Sequence, residues 1–269
     1  MSFTGFTPSD FKVFDIPGFK PRMEAIKARV RPKLEAVGRE LLPDVARIGG
    51  APAFAHVAKH ARRIVNPPED TWVAFALDKR GYKKHCHFKV AVSRHGVRFL
   101  FEAGPEHAQK KRWLAAWKRH TRQLVPVLRR AKGLGWFKDE HDEAPSAILT
   151  DLPADAVARL GDELLRTRDG QFVLGRSVSA EEAVKWKPRE YARAARETFH
   201  LLAPLYRRTP AFHTCVATSR LAAPTPRKSS TCHQARSPRS ACRGTVVATA
   251  TGTTKVRIRR SQGGYTVAG

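Results

Sequence analysis

Cysteine is scarce in this sequence: four in 269 residues, with Cys86 alone in the body and Cys215, Cys232 and Cys242 near the C-terminal end. That distribution is not a disulfide framework, and a reducing cytoplasm is the expected compartment. No segment approaches the roughly 18 consecutive apolar residues of a membrane span. The opening MSFTGFTPSDFKVF lacks a basic stretch followed by an apolar run, so no signal peptide and no membrane partner are expected. Nucleophile elbow, phosphate-loop and dinucleotide fingerprints are absent, and there is no internal repeat. Acid is also missing from one region. Glu197 is the last acidic residue, and ten Lys and Arg follow Pro210 with no counter-charge.

What is present is positive charge. The formal net charge is +26 and the isoelectric point about 10.8. Residues 1–209 still hold 40 basic against 24 acidic residues. Such a field attracts phosphates or nucleic acid. Residues 210–269 are rich in Ala, Thr, Ser, Arg and Pro without apolar period, and cannot bury enough surface to offset ordering entropy. A disordered tail is expected there. Two readings stand for it: a basic arm for nucleic acid, or out-of-frame translation of GC-rich DNA.

Patterning in the body predicts mixed elements. Thr7-Pro8-Ser9-Asp10 signals a short helix start, and a longer helix is expected from Pro21 with a kink at Pro32. Trp72–Ala76 reads as a central strand, Phe88–Val92 as a half-buried one and Val97–Phe101 as a third, with Gln171–Leu174 as a further short strand. Pro105–Leu124 has helical spacing with Trp113 and Trp117 on its apolar face, and Pro126 is expected to split or kink it. Ala154–Arg168 and the stretch from Pro188 are further amphipathic helices, and Ser179 and Glu182 form a capping box. The fold class expected is α+β: a single domain over 1–209 with a small, mostly antiparallel sheet packed against several helices.

The densest chemistry lies in residues 56–88, HVAKHARRIVNPPEDTWVAFALDKRGYKKHCHF. On a helix, His56, His60 and Arg63 would share one stripe, with Val57, Ala61 and Ile64 on another about 100° round. The candidate catalytic groups are His56, His60, Asp70 and His87, a histidine acting as general base with Asp70 orienting it. The candidate ligand-binding groups are Lys59, Arg63, Trp72, Arg80 and Tyr82, since Arg forks and Lys point charges suit phosphate and the aromatics can stack. Lys83 and Lys84 read as a solvated turn, and Cys86 as packing. His56 and His60 with His87 or Asp70 could reach one metal ion, but HVAKH lacks the glutamate of HExxH, and Lys59 and Arg63 would repel a cation. No metal and no cofactor are expected. The function expected is binding of a phosphate-containing or other anionic small ligand in a His/Arg-lined cleft. The alternatives are nucleic-acid binding without catalysis, through the basic helix around Arg112, Lys118, Arg119 and Arg122, or a His-based hydrolase or transferase.

Four blocks stand in an order that resembles the YktB-like bacterial proteins of unknown function: GFTPSDFKVFDIPGFKPRMEAIKARVRPKLEAVG (5–38), the 56–88 block, QFVLGRSV (171–178) and TFHLLAPLYRR (198–208). The resemblance covers about residues 5–209. It implies a compact α+β domain of the bacterial cytoplasm and carries no activity, cofactor or partner.

Overall fold

The computed structural model of the protein describes residues 2–61 and 65–207. The tail expected from Pro210 onward lies outside the described residues. Seven strands form one sheet in which every pairing is antiparallel: β1 (Phe54–Val57), β2 (Asp70–Ala76), β3 (His87–Ser93), β4 (Gly96–Ala103), β5 (Gly135–Phe137), β6 (Ala147–Ile148) and β7 (Phe172–Ser179). Their order across the sheet is β1-β2-β3-β4-β7-β5-β6. The α+β expectation is met, with a wider sheet than the four predicted strands would make.

Helices cover one face of the sheet. α1 (Pro8–Phe11) starts at Thr7, whose backbone N–H donates to Asp10 Oδ2 at 2.7 Å, as the Thr-Pro-x-Asp signal predicts. α2 (Phe19–Ala25) runs through one π-helical turn, Ile26–Val30, into α3 (Arg31–Gly49). The widened turn stands just before Pro32, which has no N–H to give to the preceding turn. α3 and α8 (Pro188–Arg207) lay Leu34, Val37, Leu41, Ala195, Phe199 and Leu202 onto Val73, Phe75, Phe88, Val90 and Phe101 of the sheet. Phe88 stacks on Phe199 and Tyr206 with ring centres 4.5 and 4.7 Å apart. α4 (Lys110–Arg130) adds Trp113 and Trp117 against Phe172.

Two helical expectations are corrected. Pro126 does not split α4, because it sits on the exposed side where the carbonyl it leaves unpaired meets water. Ala154–Arg168 is not one helix but α5 (Ala154–Arg159), a 3-10 turn and α6 (Glu163–Arg166), followed along the chain by α7 (Ala180–Ala183) beyond β7. The break falls at Gly161, whose missing side chain makes room for the indole of Trp117. Ser179 caps α7 by accepting from the N–H of Glu182 at 3.2 Å.

The other face of the sheet carries a polar cluster among smaller apolar ones, Trp72, Ala74 and Ala91 in one and Leu100, Phe137 and Val173 in another, yet the polar cluster is not open to water. Asp70, His87, Lys89, Ser93, Arg98 and Glu102 point there and are all buried, under segments 77–86 and 138–146. The alternation of Phe88, Val90 and Val92 predicts a strand with one wet face. His87 and Lys89 at 0% exposure show that both faces are covered.

Candidate functional site

The helix expected through His56, His60 and Arg63 does not form. Phe54–Val57 instead pairs with Val73–Ala76 as an edge strand, so the inter-strand ladder overrides a local 3.6-residue pattern only nine residues long. His60 follows the strand with a φ of 51°, left-handed backbone that no helix contains. Arg63 lies outside the described residues. The stripe is therefore replaced by two separate groupings of the candidate residues.

The first is a cleft of about 920 Å³ between α3, β1 and segment 78–85. His56, Lys59, Arg80 and Tyr82 line it, joined by Arg31, Lys83, Lys84 and His85. Glu35, Asp78 and Glu106 are its acids. Two of those acids are engaged: Asp78 pairs with His85 at 3.2 Å and lies 3.5 Å from Arg80, and Lys83 meets Glu106 at 3.2 Å. Arg31 donates to the carbonyl of Ala58 at 3.2 Å, which fixes its guanidinium at the wall. His56 Nε2–H donates to the carbonyl of Asp78 at 2.9 Å, and burial lowers the pKa of its ring. Lys59 and Lys84 are exposed. Lys83 and Lys84, read from sequence as a solvated turn, form part of this wall.

The second grouping is the buried polar face. Asp70 accepts from Arg98 Nη2 at 2.6 Å and from His141 Nδ1 at 3.0 Å. Burial opposes ionisation of Asp70, but the His141 hydrogen bond and the charges of Lys89 and Arg98 win, holding its carboxyl down to about 2. Arg98 reaches Asp70 across β3 because Ala91, small and opposite both Trp72 and Arg98, leaves the path open. The same guanidinium donates to the carbonyls of Glu140 at 3.1 Å and Asp142 at 2.6 Å. Lys89, fully buried, pairs with Glu140, lies 3.4 Å from Glu102 and stands 4.5 Å above the Trp72 ring. Desolvation favours neutral Lys89, yet Glu102, Glu140 and Asp70 outweigh it and raise its pKa. His87 donates from Nδ1 to the carbonyl of His85 at 3.0 Å and turns Nε2 to Glu102 at 3.1 Å. Glu102 is likewise held ionised, against its burial, by His87 and Lys89.

So the structure separates residues that the sequence groups together. His87, Asp70 and Trp72 belong to the buried face, and His60 borders it through Thr71 Oγ1 at 3.1 Å and the Trp72 ring at 5.4 Å. Tyr82 joins the two regions. It lines the cleft, accepts from Trp72 Nε1–H at 2.9 Å, packs on His87 at 4.8 Å, and burial pushes its phenol up to about 12. The orienting role expected of Asp70 is directed at His141, not at His56, His60 or His87. A carboxylate on Nδ1 leaves the imidazole of His141 oriented for proton exchange at Nε2, 3.7 Å from Glu140.

Lys89, Arg98, Glu102, Glu140 and His141 were not among the sequence candidates. The trace of the first three in the sequence is charge recurring at alternate positions, His87-x-Lys89 and Arg98-x-x-x-Glu102, which by itself reads as a solvated strand face; Glu140 and His141 leave no such trace. Cys86 is buried, as read, with His107 Nε2 3.4 Å from its sulfur. Among the described residues no group of three or more His, Cys, Asp or Glu is placed to hold a metal ion. Nor is any helix among them long and apolar enough to cross a membrane.

Residues 6–206 match the family described as a domain of unknown function, DUF1054. Similar chains include a UPF0637 protein of Macrococcus caseolyticus, 33% identical over 201 residues, spanning 75% of this chain and 97% of that one. A UPF0637 protein of Exiguobacterium sibiricum is 34% identical over 215 residues, 76% of this chain and 98% of its own. The UPF0637 protein BLi01683/BL05149 of Bacillus licheniformis is 32% identical over 209 residues, 78% and 98% of the two chains. A family match across three-quarters of the chain, with relatives covered almost end to end, makes this protein a member of the DUF1054 family of uncharacterised bacterial proteins.

Proposed function

We propose that the protein is a cytoplasmic binder of a phosphate-containing or otherwise anionic small molecule, held in the cleft between α3, β1 and segment 78–85. The observation that carries this reading is the lining. Arg31, Lys59, Arg80, Lys83 and Lys84 surround one concavity of about 920 Å³, against three acids of which Asp78 and Glu106 already have basic partners. Arg31 and Arg80 offer planar forks to a phosphate, the lysines add point charge, and Tyr82 gives an aromatic wall. A cleft of this size accommodates a nucleotide or a sugar phosphate.

The test is thermal denaturation of the full chain with inorganic phosphate, ATP and glucose 6-phosphate. A ligand at ten times its Kd stabilises by about 1.4 kcal/mol, or roughly 3–5 °C for a domain of this size. Arg80→Ala and Lys59→Ala, both at exposed positions, should lower that gain while leaving the ligand-free melting temperature unchanged. If no member of the panel shifts the wild type, or if the variants keep the full shift, the reading fails.

A further inference from the structure

Away from the cleft, α4 carries the most lopsided charge in the body. Its 21 residues, KKRWLAAWKRHTRQLVPVLRR, hold eight Lys and Arg and not one Asp or Glu. At 100° per residue, Lys111, Lys118 and Arg122 fall within an arc of about 40°, and Arg112 and Arg119 lie within about 20° of each other on the adjoining strip. Trp113, Leu114, Trp117, Leu124, Val125 and Leu128 are buried in an arc of about 120°, and those cations occupy the adjoining arc of about the same width. The fold thus pins one side of the helix to the core and turns a basic face outward, with only Ala115 and Pro126 between its two strips of cations.

The neighbouring segments supply little compensation. Asp162 pairs with Lys118 at 2.7 Å, both half exposed. Lys110 turns back to the carbonyls of Arg168 and Gly170, beside Asp169. Lys111, Arg112, Arg119 and Arg122 are all exposed and form no ion pair among the described residues. These four span about 16 Å of helix axis, the length of about five phosphates along one strand of a duplex.

We infer that this face of α4 binds the phosphate backbone of double-stranded nucleic acid without reading its sequence. Two features select this partner from other polyanions. The aromatic residues of the helix are buried in the core, so the face has no platform on which unstacked bases of a single strand could lie. Its large apolar residues are buried as well, apart from Val127, and the exposed Ala115 and Pro126 are too small to make a stripe that inserts into a lipid surface. What remains is a row of flexible cations along one helix, which suits a regular line of phosphates.

The experiment measures binding of the full chain to a 20-base-pair duplex, the corresponding single strand and anionic phosphatidylserine vesicles, over a range of salt. The variant Lys111→Gln/Arg112→Gln/Arg119→Gln/Arg122→Gln is compared with a control that removes the same charge elsewhere, Lys12→Gln/Lys20→Gln/Lys185→Gln/Arg189→Gln. Circular dichroism confirms that both are folded. Each neutralised phosphate contributes about 0.9 to the slope of log K against log salt. The α4 variant should therefore have a slope about 3 to 4 less steep than wild type on duplex, and the control should match wild type. Equal loss in both variants, no loss in the α4 variant, no duplex binding by wild type, or tighter binding to single strand or vesicles would each overturn the inference.

Discussion

Lys89 shows what a single side chain does to the polar face of the sheet. Its ammonium is surrounded by Glu102, Glu140 and the Trp72 ring with no exposure to solvent. Replacing it with methionine would leave two carboxylates facing each other in a medium that cannot solvate them. Lys89→Met should cost roughly 3–5 kcal/mol, and adding Glu102→Gln should recover part of the loss. Urea denaturation of the single and double variants measures both numbers, and a cost below about 1 kcal/mol would mean water reaches the pair. The dyad beside it titrates in two directions. Asp70 is held at about 2 against 3.8 unfolded, so its share, about 2 kcal/mol, is present above pH 3.8 and lost as pH falls through 2. His141 is raised above 6.5, mainly by its hydrogen bond to Asp70 despite burial, so its share is present below pH 6.5 and lost as pH rises through the raised value. The stability gap between wild type and His141→Gln should be widest at mildly acidic pH and close on the alkaline side; a gap constant from pH 5 to 9 would count against the Asp70–His141 link. At this scale the sequence singles out Asp70, Tyr82, Arg80 and Lys59, of which Lys59, Arg80 and Tyr82 line one cleft and Asp70 lies on the buried face. The sequence was not readable for Lys89 or Glu102, because a charged residue alternating with apolar ones is the mark of a wet strand face. Only the covering segments, one of them some fifty residues farther along the chain, reveal that the face is dry.

Elements were legible in proportion to how local their causes are. The start of α1, the cap of α7 and the amphipathic stripe of α8 each follow from residues within one or two turns, and each stands where the pattern predicted. The helical pattern around His56 fails because Phe54–Val57 is decided by pairing with β2, some twenty residues away. The break between α5 and α6 has a similarly remote cause, the Trp117 indole of α4 seated against Gly161 and donating to the carbonyl of Ala158 at 2.8 Å. A methyl group at 161 would overlap that indole. Gly161→Ala should destabilise by about 1–3 kcal/mol and shift the tryptophan emission, whereas an unchanged spectrum and melting temperature would show that the ring has room to move.

For the molecule as a whole, charge is the governing quantity. At +26 the chain repels itself, and among the described residues most cations are on the surface while Lys89 and Arg98 are paired inside. Salt should act differently on the two populations. Raising ionic strength from about 0.01 to 0.15 M shortens the screening length from about 30 to 8 Å, which damps repulsion among exposed cations but leaves buried pairs at contact distance nearly untouched. The melting temperature should rise over that range. A fall would mean that surface pairs such as Arg159–Asp155 and Lys118–Asp162 contribute more than the repulsion costs. The sheet also divides the protein into two materials that answer heat unlike one another. On the helical side stabilisation comes from buried hydrocarbon, which weakens on cooling and gains little at high temperature. On the side of Asp70, Lys89, Arg98 and Glu102 paired ions add to two small apolar clusters, and the dehydration of those ions becomes less costly as the temperature climbs. Warming therefore moves the balance of cohesion across the sheet, from its oily face to its ionic one, without any change in the contacts themselves.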